Sequence, residues 1–183
     1  AVLKNGVFTD ESSGVHLKNI TMSSVFDNNK ITLQSLTAND NKDGKLDANG
    51  TVFLNDKALG KTDINLSLKN YHLLYGEIAE GLLNADINFS GTPSRYDISG
   101  AIKSDYIDIN IPEKYNQSIP ELNIVEKDAA NKSDKLLKNI FLNLQYIADN
   151  RIFVRGWGLD AEFGGKINIK GTAKTPEFEG QLK

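Results

Sequence analysis

The stretch Asn39–Asp47 contains the residue types and spacing that most resemble a reactive or ligand-binding site. Carboxylate and amide side chains alternate through it, and Gly44 stands where a sharp turn is needed. This spacing resembles the first half of a calcium-binding loop. The twelfth position is Gly50, however, where such a loop requires a bidentate glutamate. The favoured prediction is therefore an Asp-Gly hairpin that joins strands at Ile31–Ala38 and Lys45–Leu54.

The remaining candidates for chemistry are sparse. The two histidines, His16 and His72, have no second nitrogen ligand near them in the sequence, so we predict surface histidines and not a zinc site or a catalytic triad. The acidic residues are spread over turns and polar positions, with no pair set apart as acid and base. No glycine-rich loop precedes a helix to hold a phosphate. We expect neither an enzyme nor a bound metal or cofactor.

Composition narrows the class of protein further. The chain has 183 residues, a net charge of −3 and no cysteine, which excludes disulfides and thiolate metal sites. The weak negative charge is unfavourable for nucleic-acid binding, which needs a clustered basic surface. The hydrophobic fraction of 39% is sufficient for a folded core. No stretch approaches the roughly 20 apolar residues of a membrane-spanning helix.

The dominant pattern is an alternation of apolar and polar residues with a period of two. Successive strand residues point to opposite faces, so each run predicts a strand with one apolar and one polar face. This pattern is typical of an antiparallel sheet that is solvated on one side. The positions that we predict to line its apolar face are Val15, Leu17, Ile31, Leu33, Ile64, Leu66, Leu68, Ile87, Phe89, Ile107, Ile109, Ile140, Leu142, Leu144, Ile167 and Ile169.

Short clusters of turn-forming residues separate the runs. They lie at Asp27–Asn29, Lys42–Gly44, Leu54–Asp56, Gly91–Pro93 and Gly164–Gly165. Asp, Asn and Gly tolerate the positive φ that tight hairpins require. Many short strands joined in this way predict an all-β fold, a long antiparallel meander without βαβ units.

Several segments do not follow the alternation. His72–Glu80 lacks it and is expected to have room for one helical turn. Lys135–Ala148 fits both a helix and a strand; we favour a strand because polar residues fill alternate positions, with Arg151–Val154 as its hairpin partner. Residues 126–136 are charged and aperiodic, which predicts an exposed loop. In Arg155–Gly165 the glycines permit a bulge, and the residues alone predict a twisted strand pair anchored by the tryptophan.

The chain also repeats itself. Ile87–Thr92 reappears as Ile167–Thr172, a shift of 167 − 87 = 80 positions, and the same shift places Gly100 onto Gly180. The apolar positions and glycines are kept while the polar residues change. Such a repeat preserves sheet geometry and is typical of extended architectures in which each unit packs on its neighbour.

These features together resemble the TamB family of AsmA-like envelope proteins. Phe153–Asp160 is similar to the Phe-Val-Arg-Gly-x-Gly-Leu-Asp stretch of that family. The later positions of the pattern are Gly165, Gly171-Thr172, Pro176 and Gly180. Upstream, Ile107–Pro112 followed by Pro120–Leu122 is similar to the family's strand that ends in Ile-Pro, and Leu33–Val52 matches a strand, a turn and a second strand.

The resemblance implies an architecture and a location. Residues 1–183 would form one repetitive segment of a longer periplasmic protein that is anchored in the inner membrane. Its sheet would curl into a U-shaped groove, or β-taco, with an apolar interior. The implied partners are phospholipid or other apolar chains and an Omp85-type outer-membrane barrel, TamA. The implied processes are phospholipid passage and the assembly of outer-membrane or autotransporter proteins.

The residues themselves leave alternatives open. A sheet with one apolar face must cover it, either by closing into a β-sandwich or by binding another molecule in an open trough. An open trough predicts a carrier of lipid acyl chains. Open sheet edges predict instead a chaperone-like module that presents client β-strands to the barrel partner. A closed sandwich predicts a structural stalk.

Overall fold

The computed structural model describes residues 1–10, 14–55, 58–75, 78–112 and 137–183, and these form ten β-strands. The strands are β1 Val2–Asp10, β2 Val15–Asp27, β3 Lys30–Asn39, β4 Lys45–Asn55, β5 Ala58–Tyr75, β6 Ala79–Thr92, β7 Arg95–Asn110, β8 Ile140–Gly156, β9 Leu159–Gly171 and β10 Pro176–Leu182. The predicted loop at residues 126–136 lies outside the described residues.

All ten strands belong to a single sheet in which each strand pairs with the next one along the chain. Eight of the neighbouring pairs are antiparallel, which confirms the predicted all-β meander. The pair of β7 and β8 is parallel, and here the prediction of a wholly antiparallel sheet is wrong. A parallel pair needs a crossover longer than a hairpin turn, and residues 111–139 separate these two strands.

Most of the predicted turns lie between strands. The hairpin of β2 and β3 turns at Asn28, whose φ of 48° is tolerated because Asn adopts the left-handed region more readily than other side chains. The Asp-Gly hairpin is confirmed, with Asn39 paired to Lys45. The predicted turn at Gly164–Gly165 is wrong, because both residues lie inside β9.

Two other predictions about local structure are corrected. His72–Tyr75 continues β5 and forms no helical turn, because Asn70 adds one residue to the strand and so reverses the apparent alternation. Arg151–Val154 is not a hairpin partner but the second half of β8, which runs without a turn from Ile140 to Gly156. An irregularity between Ala148 and Ile152 interrupts the pattern there while the strand continues.

The predicted repeat has the same geometry in both copies. Gly91 pairs with Tyr96 across the first hairpin, and Gly171 pairs with Pro176 across the second, each position shifted by 80. Gly100 faces Ile87, and Gly180 faces Ile167 in the equivalent register. The kept glycines therefore occupy equivalent places in two successive hairpins of the sheet.

The described strands form one layer. Substantial contacts between strands occur only between neighbours in the sheet. The few buried apolar residues are mostly small or lie at the bulges, including Ala38, Ala85 and Ala148. A closed β-sandwich, the alternative fold, requires a second packed sheet, and the described residues contain a single one.

Candidate functional site: the apolar face of the sheet

The strand register brings the predicted lining residues to one face, called the apolar face below. Residues paired across neighbouring strands point to the same side of a sheet. One row runs from Leu33 through Gly50, Ile64 and Phe89, and continues through Ile98 to Leu142. The next row contains Leu66, Ile87, Leu144 and Ile169. The remaining predicted positions join the same side through equivalent rows; that this side binds a ligand stays a prediction.

Asparagine bulges keep the face continuous. Asn5, Asn19 and Asn70 have φ values of 57°, 53° and 50°, and the register shifts by one residue beside each of them. A bulge inserts one unpaired residue, so the side chains before and after it stay on the same face. Leu17 therefore lies on the side of Ile20, although three positions separate them.

Sequence reasoning missed part of this face. Met22 and Leu36 lie on it because bulges move them out of the simple period of two, whereas Leu46 lies on it in the regular alternation of β4. Ile98 and Ile102 also lie on it, and the alternation around the repeated Gly100 was a signal that could have found them. The predicted list is thus a subset of the apolar face.

The apolar face is neither fully buried nor fully exposed. Each of the predicted lining residues is half-buried, with part of its surface open to solvent. On β2–β9 the paired positions of this face in the described chain contain no charged side chain. A large contiguous apolar surface that stays partly open to solvent is typical of a binding surface.

A concave pocket of about 560 Å³ lies at one end of the face. Ile64, Phe89, Tyr96 and Ile140 contribute to its wall. The rings of Phe89 and Tyr96 stack at a centroid distance of 4.7 Å and an angle of 25°. The pocket is thus formed by side chains of the predicted lining, joined by aromatic groups from the hairpin of β6 and β7.

A pair of hydroxyl groups lies within the apolar face. Ser104 is 1% exposed and is the most deeply buried side chain of the described chain. Its Oγ lies 2.8 Å from the hydroxyl oxygen of Tyr146. Burial raises the pKa of Tyr146, and the hydrogen bond with Ser104 opposes that rise. The bond satisfies both hydroxyls away from water, so they interrupt the apolar face without leaving a buried polar group unpaired.

Irregularities in the ladder lie side by side across β5–β9. They fall between Leu68 and Tyr71, Leu82 and Leu83, Ser104 and Ile107, and Ala148 and Ile152. On the opposite face the backbone N–H of Asn70 donates to Asn84 Oδ1 at 3.0 Å, and Asn84 donates to Asp105 at 2.8 Å. Aligned bulges bend neighbouring strands together, because each one kinks its strand and increases the local twist.

The opposite face is polar, and some of its side chains form hydrogen bonds between strands. Asn88 donates to Asn65 at 2.9 Å, and Asn65 donates to Asn49 at 3.4 Å, which forms an amide ladder across three strands. The guanidinium of Arg95 lies 4.0 Å from the ring centroid of Phe141, so even an aromatic residue on this side is covered by a cation. The two faces therefore differ sharply in what they can bind.

Asp40, in the turn of the hairpin of β3 and β4, joins that turn to β5. Its carboxylate accepts bonds from the backbone N–H groups of Lys42, Gly44 and His72, at 2.7–2.9 Å, and contacts His72 Nδ1 at 2.8 Å. Burial raises its pKa, but these bonds together lower the pKa below the ordinary value. His72 thus joins a buried carboxylate, which corrects its prediction as a surface residue in a loop. Among the described residues, no three His, Cys, Asp or Glu side chains are grouped to hold a metal ion.

Trp157 also differs from its prediction. It does not anchor the strand pair from inside but lies in the turn between β8 and β9, where 69% of its surface is exposed. Its Nε1 donates to the carbonyl oxygen of Pro112 at 3.2 Å. The glycine on either side allows the tight turn, as the residues indicated.

Fold and site together define a single-layer β-sheet protein with one continuous, partly open apolar face. A family model of the TamB C-terminal domain matches residues 34–183, and the chain belongs to this family. No curated protein and no solved structure matches the chain.

Membership in the TamB family indicates an envelope protein with a role in outer-membrane biogenesis. Proteins of this family belong to a translocation and assembly module and work with a partner of the Omp85 type. In the part of the chain that the structure describes, no helix is both long and apolar enough to cross a membrane.

Proposed function

We propose that the apolar face is a groove that carries or shields phospholipid acyl chains in the periplasm, between the inner and outer membranes. The observation that supports this most strongly is the half-buried state of every predicted lining residue, on a face whose paired positions on β2–β9 of the described chain contain no charged side chain. Hydrocarbon is the ligand that such a surface stabilises without specific hydrogen bonds. The proposal assigns the chain no enzymatic activity and no cofactor.

The U-shaped cross-section is part of this proposal. The aligned bulges of β5–β9 support it, because each bulge kinks its strand and a row of them would bend the sheet across its width. Gly100 adds a second cause of curvature: its φ is 142°, and a Cβ there would lie 2.0 Å from the carbonyl oxygen of Asp86. A glycine at such a position permits a kink in the strand, and glycine kinks are a means by which designed sheets are curved. A bent sheet places its apolar rows opposite one another and narrows the space between them.

The energetics suit a carrier. Each acyl methylene group that leaves water is stabilised by about 0.8 kcal/mol, so contact with a few lining residues gives substantial affinity. The contacts are non-directional, and a chain can therefore slide from one row to the next without breaking a hydrogen bond. The repeated hairpins supply equivalent rows along the sheet.

The test compares two arginine substitutions at neighbouring residues of β8. Leu142→Arg places a charge on the apolar face, whereas Asn143→Arg places it on the opposite, exposed side. We expect Leu142→Arg to lower the amount of phospholipid that copurifies with the protein, because an unpaired charge disfavours hydrocarbon beside it. Asn143→Arg should leave the amount unchanged. Equal phospholipid in both variants, with circular dichroism showing a folded sheet, would contradict the proposal.

A second candidate function is supported by the outer strands. In the described chain β10 pairs only with β9, and its side chains are exposed along its length. An unpaired strand edge can accept a client strand by β-augmentation, as a chaperone-like module that serves an Omp85-type barrel would require. Crosslinks from client strands to β10, without lipid contacts at Leu142, would favour this function over lipid carriage.

A further inference from the structure

The turn between β8 and β9 has an unusual residue in an unusual conformation. Trp157 and Gly158 are its two central residues, with φ values of 51° and 79°. Positive φ at both positions defines a type I′ turn, for which Asn-Gly is the preferred pair. A tryptophan in the left-handed region brings its Cβ close to the backbone and is disfavoured. A residue held in such a conformation at an exposed site points to a function.

Packing does not explain the tryptophan. The residue is 69% exposed, and within the described part of the chain its side chain forms one hydrogen bond, to Pro112. Leu159, which follows the turn and is 48% exposed, pairs with Gly156, and the next pair on the same side is Val154 with Ala161. Trp157 and Leu159, called the rim tip below, therefore form an exposed apolar end of the hairpin, and Leu159 lies on the same side as the apolar face.

The surroundings of the rim tip indicate what it can contact. Arg155 forms ion pairs with Asp108 and with Asp160, so the positive charge of Arg155 beside the tip is compensated. The indole N–H already has an acceptor in Pro112. The tip consequently offers apolar surface without a free donor on the indole, which fits an apolar phase better than a polar partner surface. Tryptophan is enriched where membranes meet water, because its ring is apolar but tolerates polar surroundings.

We propose that the rim tip inserts into the headgroup region of a lipid bilayer and is the edge at which the apolar face meets a membrane. This inference extends the proposed lipid carriage by assigning the place where lipid enters or leaves. The insertion itself depends only on the rim tip and can be measured apart from occupancy of the groove.

Trp157 is the only tryptophan in the chain, so its fluorescence reports on the tip alone. The experiment adds phosphatidylcholine vesicles to the purified protein and records the emission spectrum. It then repeats the titration with phospholipids brominated near the carbonyl end of the acyl chain. We expect a blue shift and quenching by the bromine atoms. An unchanged spectrum would overturn the proposal, as would a shift that appears only on raising the protein concentration without vesicles, which indicates self-association.

Matched variants distinguish insertion of the rim tip from non-specific adsorption to vesicles. Trp157→Asn creates the Asn-Gly pair that the turn prefers, so the variant should fold. Removing on the order of 60 Å² of apolar contact corresponds to about a tenfold weaker partition in vesicle cosedimentation. Val7→Asn removes another exposed side chain, 71% accessible and on the opposite face of β1, and should leave partition unchanged. Equal losses in both variants would overturn the proposal.

The outcomes also distinguish the two proposals. Less phospholipid copurified with Leu142→Arg than with Asn143→Arg, without insertion of Trp157, would overturn the rim-tip proposal and leave lipid carriage standing. Insertion of Trp157, with equal phospholipid in those two variants, would overturn lipid carriage and leave the rim-tip proposal standing.

Discussion

Asp40 offers the sharpest test of the hydrogen bonds that hold the sheet. Its side chain is only 2% exposed, and its two oxygens accept hydrogen bonds from different segments, the turn and β5. Oδ1 accepts the backbone N–H groups of Lys42 and Gly44 and so fixes the hairpin turn. Oδ2 accepts the backbone N–H of His72 at 2.7 Å and so ties the turn to β5. Replacing this carboxylate should weaken the turn and its attachment together.

Asp40→Asn keeps the shape but replaces one oxygen by an NH₂ group. If the amide oxygen faces the turn, the NH₂ faces the backbone N–H of His72, and two donors oppose each other. Leaving a buried N–H unsatisfied costs about 1–3 kcal/mol, and bonds to a neutral oxygen are weaker than those to a carboxylate. We therefore expect the free energy of unfolding to fall by about 3 kcal/mol.

The assay is urea unfolding followed by circular dichroism, with Asp43→Asn as the control. Asp43 is exposed in the same turn and undergoes the same chemical change. Its substitution should change the free energy of unfolding by no more than about 0.5 kcal/mol. If Asp40→Asn destabilises the protein no more than Asp43→Asn does, the assigned role of the carboxylate is wrong.

Three further predictions concern stability. The pKa of Asp40 is lowered in the folded protein, so its contribution to the free energy of unfolding is present above the unfolded pKa of about 3.9 and is lost as pH falls through the folded pKa. In urea unfolding, the difference in that free energy between wild type and Asp40→Asn should therefore shrink below about pH 4. A difference that stays constant with pH would contradict this. Gly100→Ala should lower the free energy of unfolding by about 3 kcal/mol or more, because a positive φ is combined with a clash. Gly158→Ala, with φ 79° and nothing within 4 Å of the added Cβ, should lower it by about 1 kcal/mol. Equal losses of stability in chemical denaturation would contradict the role of the clash. Tyr146→Phe should destabilise by about 1–3 kcal/mol, because it leaves the Ser104 hydroxyl buried without a partner, and a thermal melt identical to that of wild type would show the pair to be unimportant.

The sequence was sufficient to predict which residues share the apolar face of the sheet, but not to predict how every pair of strands is connected. Alternation depends only on side-chain direction along a strand, so it placed Ile64, Phe89 and Leu142 on one side without knowledge of the turns. The repeat was equally readable, because the glycine at Gly100 and Gly180 is required by the same close approach of a neighbouring strand. Patterns that follow from local backbone geometry are visible in one sequence.

Features that depend on distant residues were not visible. The bulge at Asn70 made His72–Tyr75 resemble a helical turn, since one extra residue reverses the alternation. The parallel pairing of β7 with β8 depends on where the chain returns, and no local pattern encodes that. The partner of Asp40 is His72, 32 positions away, and only the fold brings the two together.

The central claim is that the apolar face holds lipid, and photocrosslinking in cells tests it most directly. A benzoylphenylalanine probe replaces Phe89, which lines the concave pocket, or Phe141, which lies on the polar face beneath Arg95. Both probes replace a phenylalanine, so their effects on folding are closely matched. Phospholipid attached to the probe at Phe89 and absent from the probe at Phe141 is the predicted result. Lipid at neither position, or equally at both, in a protein that remains folded would contradict the claim.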